Sequence, residues 1–192
     1  TFKNLHLVLS RARGIGCEQG VDDELLYNSV YRTFGPGIRF ADQLRGRCIG
    51  NTLVRPTSLS MGPDGKGGVN GVGDAISYVD RSGRVDRQPP MEAIDSGGLT
   101  DTVIAYNEIC WSDKEAMLID GDTNGLRIHH NYVHDGWNFP WVIGIMPNGY
   151  GGQENIEIDH NIAHHLGFGV GIGTEGGGYG KHVRIHHNIA WD

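Results

Sequence analysis

Two aspartates raise the first chemical question. Asp95 and Asp120 each follow the last apolar residue of a short β-type run, Glu92-Ala93-Ile94-Asp95 and Ala116-Met117-Leu118-Ile119-Asp120. Matching such runs by that residue gives an outward column of Glu18, Ala41, Asp95, Asp120, Met146 and Gly173. If the runs are successive strands of one parallel sheet, the two carboxylates lie about 5 Å apart. Like charges that close raise one of the two pKa values, which readies an acid–base or nucleophile–acid pair. A separation of roughly 5–5.5 Å suits a retaining glycosidase, and Ca²⁺ is the other occupant such a pair would take. Glu175 lies two residues past the column and would join it from a later run.

The histidines form the second constellation. Nine of the ten lie between positions 129 and 187. His130, His160 and His187 share the position before an asparagine, which reads as an external stack. His134 and His164 share the third position after it, with Asp135 and His165 beside them. Trp191 and Asp192 take those slots one repeat later, and Cys110 and Trp111 one repeat earlier. Tryptophan, histidine and aspartate on one face suit sugar stacking with acid–base help, and the imidazoles could also bind a transition metal. Trp137 and Trp141, within Trp137-Asn138-Phe139-Pro140-Trp141, would add platforms for sugar rings. Asp120-Gly121-Asp122-Thr123-Asn124-Gly125 has the alternating oxygens of a calcium loop, with Asp120 and Asp122 as its carboxylates. Position twelve is Asn131, where an EF-hand needs Glu, so an EF-hand is ruled out.

What must position these groups is a repeat. Frames such as Ile104-Ala105-Tyr106-Asn107-Glu108-Ile109, Ile128-His129-His130-Asn131-Tyr132-Val133, Ile158-Asp159-His160-Asn161-Ile162-Ala163 and Ile185-His186-His187-Asn188-Ile189-Ala190 recur, with weaker copies at Asn4, Asn28 and Asn51. An interval of roughly 25 residues is that of a solenoid. Runs such as Leu126-Arg127-Ile128 alternate apolar and charged residues, which is strand periodicity. With 31 Gly among 192 residues and nearly every apolar run cut short, a helical repeat does not fit. An asparagine tolerates the left-handed backbone of a bend between strands. Stacked coil on coil, the amides can form a hydrogen-bonded ladder.

These frames, and the second class of runs upstream of each, resemble the right-handed parallel β-helix proteins of the pectin-lyase-like superfamily. The resemblance implies an all-β solenoid of about seven to eight coils over 1–192, interrupted at 55–90. There Pro56, Pro63, Pro89 and Pro90 bracket a glycine-rich stretch that reads as a loop excursion from one coil, with Ala75-Ile76-Ser77-Tyr78-Val79 as a strand within it. The fold hosts lyases, hydrolases, epimerases, tailspikes and adhesins, so it does not fix the activity.

The net charge of −7 argues against nucleic acid or an anionic membrane as the main partner. Cys17 and Cys48 take inward strand positions, and Cys110 is the more exposed of the three cysteines. Thr1 is an implausible natural start. The chain also opens and closes in mid-coil without amphipathic caps, so a fragment of a longer solenoid, or self-stacking at the ends, is expected.

The leading expectation is a carbohydrate-active enzyme, glycoside hydrolase or polysaccharide lyase, acting on a polysaccharide outside the cell or at its surface. Its groove runs along the face of Asp95 and Asp120, with no cofactor required beyond Ca²⁺ as an option. The rival is a non-enzymatic structural or adhesive β-helix, in filament form if coils stack end to end.

Overall fold

A computed structural model of the chain describes residues 1–10, 14–33, 36–55, 78–79, 85–86, 94–112, 116–120, 122–136, 143–146, 152–166, 172–174 and 179–191; the side chains of 78–79, 85–86, 95–97, 120, 143–146, 166 and 172–174 lie outside that description. The described residues contain strands and turns and no helix. They form a parallel β-solenoid with three long sheets. One sheet stacks Phe2–Lys3, Glu24–Leu26, Arg47–Ile49, Val103–Ala105, Arg127–His129, Gly152–Asp159 and Tyr179–His186, with Thr123–Asn124 added beside Gly152–Asp159. The second stacks His6–Ser10, Ser29–Thr33, Thr52–Val54, Glu108–Cys110, Tyr132–Gly136, Ile162–Leu166 and Ile189–Trp191. The third stacks Ile15–Val21, Ile38–Leu44, Ile94–Gly97, Met117–Asp120, Ile143–Met146 and Ile172–Thr174. About four turns are recognisable as complete, fewer than the seven to eight expected. Tyr179–His186 and Ile189–Trp191 extend the first two sheets beyond the last described strand of the third.

Alternation decides what is inside. Leu25, Cys48, Ile104, Ile128 and Ile158 stack in register and are buried, as are Val30, Leu53, Ile109, Val133 and Ala163 in the second sheet. In the third sheet Ile15, Ile38, Ile94 and Met117 form one inward column. Cys17 and Cys48 are buried as expected. Cys110 is buried too, against expectation: it lies on the outer side of the second sheet, yet only 7% of it is exposed.

The amide ladder is present and starts one coil later than expected. Asn28, Asn51, Asn107, Asn131, Asn161 and Asn188 pass Nδ2-to-Oδ1 hydrogen bonds of 2.9 Å from coil to coil. Leu5, not Asn4, takes the ladder position in the first coil, where its N–H donates to Asn28 Oδ1. The left-handed residue is the one before each ladder asparagine: Asn4, Tyr27, Gly50, Tyr106, His130, His160 and His187 all have φ between 53° and 67°. The asparagines serve the bend by capping buried N–H and C=O groups, each of which would cost about 1–3 kcal/mol unpaired.

Strands on either side of the 55–90 segment pair directly, Thr52–Val54 with Glu108–Cys110 and Ile38–Leu44 with Ile94–Gly97. Within that segment Tyr78–Val79 pairs antiparallel with Val85–Asp86. The rest of it, including most of the strand expected at 75–79, lies outside the described residues.

Candidate functional site

The third sheet corrects the expected acid pair. Asp95 is the register partner of Leu118, and Asp120 that of Gly97, so the column reads Glu18, Ala41, Gly97, Asp120, Met146. The second inward slot of the Asp95 strand is Ser96, paired with Phe40 and Ile119. A polar residue there hides the slot from an apolar pattern, which shifts the alignment by two. Asp95 and Asp120 are diagonal neighbours on adjacent strands, with Cα atoms roughly 7–8 Å apart, not directly opposite. Their side chains, and Glu175, Trp137 and Trp141 entirely, lie outside the described residues. Asp122 is exposed, and its Oδ1 accepts the N–H of Gly152 one coil on at 2.8 Å, a turn-stapling role.

On the second sheet the expected histidine column is built. Outside its inward column, the strands align Val8, Tyr31, Val54, Cys110, His134, His164 and Trp191 in register. His134 lies between two carboxylates, with Nδ1 2.8 Å from Asp135 Oδ2 and Nε2 3.3 Å from Glu108 Oε1. Tyr132 stacks on His134 at 4.4 Å between centroids and brings its hydroxyl 2.7 Å from His164 Nε2. Trp191 stacks on the other side of His164 at 4.5 Å and 20°. At the neighbouring corner Arg55 lies 4.9 Å over the ring of Trp111, which is 46% exposed. The hydrogen bond from His134 holds the Asp135 carboxyl below its ordinary pKa. Burial, helped by His165 and His134, lowers that of His164. Burial pushes the thiol of Cys110, in the same column, up to about 11, which disfavours its thiolate. Tyr132 and Glu108 were missed in the sequence; both sit two residues before their column histidine or cysteine, the next outward position of a strand.

The first sheet carries a third constellation. Asp159 is fully buried and takes a two-pronged bond from Arg127, 2.9 Å at each nitrogen, while His160 Nδ1 lies 2.7 Å from its Oδ2. The Arg127 guanidinium holds the Asp159 carboxyl well below the usual carboxylate range. The signal was the replacement of the first histidine of Ile-His-His-Asn by Asp in one repeat, facing Arg127 across the strands. Around it Tyr106, His130, His160 and His187 form the expected external stack, with centroids 5.0–5.1 Å apart. The neighbouring outward charges alternate, as in Glu24–Arg47, Arg127–Glu157 and Glu157–Arg184 at 3.1, 3.4 and 3.7 Å. This face neutralises itself and leaves little to offer a ligand.

The second sheet therefore has the richer chemistry: a phenol–imidazole couple for proton transfer, stacked rings, and two carboxylates in contact with an imidazole. Among the described residues no three His, Cys, Asp or Glu side chains surround one point as a ready metal site, and no helix is long and apolar enough to cross a membrane. No family model, curated protein or solved structure matches this chain.

Proposed function

We propose that this solenoid, a right-handed β-helix of pectin-lyase-like type, binds and cleaves a polysaccharide laid across its second sheet, outside the cell or at its surface. The observation that carries the reading is the Tyr132–His164 contact of 2.7 Å, flanked by Trp191 on one side and the Glu108–His134–Asp135 group on the other. A sugar ring stacks on the exposed indole of Trp191. The phenol hands its proton to the leaving glycosidic oxygen. An imidazole takes up the proton that water loses in hydrolysis, or that the carbon beside a carboxylate loses in elimination. Both reactions need one acid and one base within hydrogen-bond reach, so both remain within the reading. The acids of the third sheet, Asp95 and Asp120, are the competing pair.

The test is incubation with a panel of polysaccharides, scored for new reducing ends and for unsaturated sugars. Cleavage that is lost in Tyr132→Phe and His164→Asn, but kept in Asp95→Asn and Asp120→Asn, supports the second sheet. The reverse pattern moves the site to the third sheet. No cleavage of any polymer favours the non-enzymatic structural or adhesive solenoid, to which the self-neutralised first sheet and unbroken amide ladder lend support.

A further inference from the structure

Three neighbouring-histidine pairs turn their Nδ1 atoms on one another: His129/His130 at 2.9 Å, His164/His165 at 2.8 Å and His186/His187 at 2.7 Å. In each pair the rings are close to perpendicular, at 88°, 85° and 88°. Two imidazole nitrogens this close need something between them. Neutral imidazole carries one N–H, so a pair on its own is held by one shared proton. A divalent transition ion can take the place of that proton. With metal–nitrogen bonds of about 2.0–2.1 Å, nitrogens 2.8 Å apart subtend about 90° at the ion. That is the angle between neighbouring ligands of square-planar or octahedral Cu(II) or Ni(II). Tetrahedral Zn²⁺ would want the nitrogens roughly 3.3 Å apart.

Surroundings separate the three pairs. His129 sits against Arg127, a fixed positive charge that works against a further cation there. His186 bonds Glu157, which is already shared by Arg127 and Arg184. The pair on the second sheet has carboxylates instead. Asp135 Oδ2 is engaged by His134, while its Oδ1 stands 3.8 Å from His165 Nδ1. The Tyr132 hydroxyl engages His164 Nε2, and outer bonds of this kind orient ligand rings. What they leave open is His164 Nδ1 and Asp135 Oδ1, both near His165 Nδ1. The three donors do not yet close on one point. The exposed Asp135 carboxylate must swing in by about 1 Å to sit beside the two nitrogens as a ligand.

We propose that His164, His165 and Asp135 form a site for a divalent transition ion of the Cu(II) or Ni(II) type, with water completing its coordination. The site does not depend on glycan cleavage. Where both hold, an ion on Nδ1 keeps the His164 proton on Nε2, so His164 then donates to the Tyr132 oxygen and is not itself the base.

Isothermal titration of the whole chain with Cu(II) or Ni(II) near neutral pH tests this without any glycan. His165→Asn and Asp135→Asn are the variants, since asparagine tolerates the left-handed backbone of both positions (φ 51° and 53°). One ion per chain is expected at the strongest site, weakened at least tenfold in His165→Asn and severalfold in Asp135→Asn, and unchanged in His187→Asn. Cu(II) spin resonance should show coupling to two nitrogens. Equal affinity in wild type and His165→Asn, loss in His187→Asn instead, or no binding at all would each overturn the site. Polysaccharide cleavage with no metal binding would refute the ion while leaving the glycan reading in place.

Discussion

Removing one rung of the amide ladder in mid-stack should cost far more than removing one at its edge. Asn107 Oδ1 accepts from the backbone N–H and from Nδ2 of Asn51, both at 2.9 Å. Its Nδ2 donates to the Cys48 carbonyl at 3.0 Å and to Asn131 Oδ1 at 2.9 Å. Asn107→Ala therefore deletes four buried hydrogen bonds. The Asn51 N–H is then left in a dry interior with no acceptor, and its Nδ2 keeps only Leu25 O and the weak Cys48 Sγ. The Asn131 oxygen is less exposed to loss, because the Asn107 backbone N–H still reaches it. At about 1–3 kcal/mol for each orphaned group, the sum is about 2–5 kcal/mol. Asn188 is itself only half-buried, and its bonds to Asn161 and to the Ile158 carbonyl are part-buried. Water can replace what Asn188→Ala removes, and about 1 kcal/mol is expected. Urea unfolding followed by circular dichroism, with unchanged m-values, measures both. If Asn107→Ala unfolds within about 0.5 kcal/mol of wild type, or the two variants cost the same, the ladder is decoration and the reasoning fails.

Asp159 gives a pH signature. Its folded pKa lies below the unfolded value of about 3.9, because Arg127 bonds the charged form, so its contribution is present above that value and fades as pH falls toward the folded one. Asp159→Asn should lower stability near neutrality and flatten the acid limb below roughly pH 5; an unchanged acid limb in urea titrations would remove the linkage. Tyr132→Phe and His164→Asn should each reduce polysaccharide turnover by about 10²–10⁴ with the urea midpoint held, and full activity in both would dismiss the relay. Cys17, Cys48 and Cys110 are buried free thiols, with Cys48 raised to about 12 by burial. Alkylation should therefore be slow in the native chain and should reach all three in urea, whereas rapid native labelling of Cys110 would contradict its covered position.

Much of the architecture was legible in the residues alone. Strand periodicity put Cys17 and Cys48 at inward positions, and the repeat placed His134, His164 and Trp191 in one column; both readings hold. These succeed because a two-residue period within a recurring asparagine frame leaves one register when every inward slot is apolar. Where a slot is polar the same logic slips by a whole period. Ser96 in the place of Phe40 and Ile119 concealed that Asp120 lies opposite Gly97. Asparagine's tolerance of left-handed backbone was a sound propensity applied to the wrong residue, since buried donors and acceptors outbid it and pushed the strained dihedral onto Tyr106, His130 and His160. The two-pronged Arg127–Asp159 bond, the burial of Cys110, and the meeting of Tyr132 with His164 belong to tertiary structure alone. Each joins residues one coil apart, or depends on what covers an outward position, and such distances exist only once the chain has wound past itself.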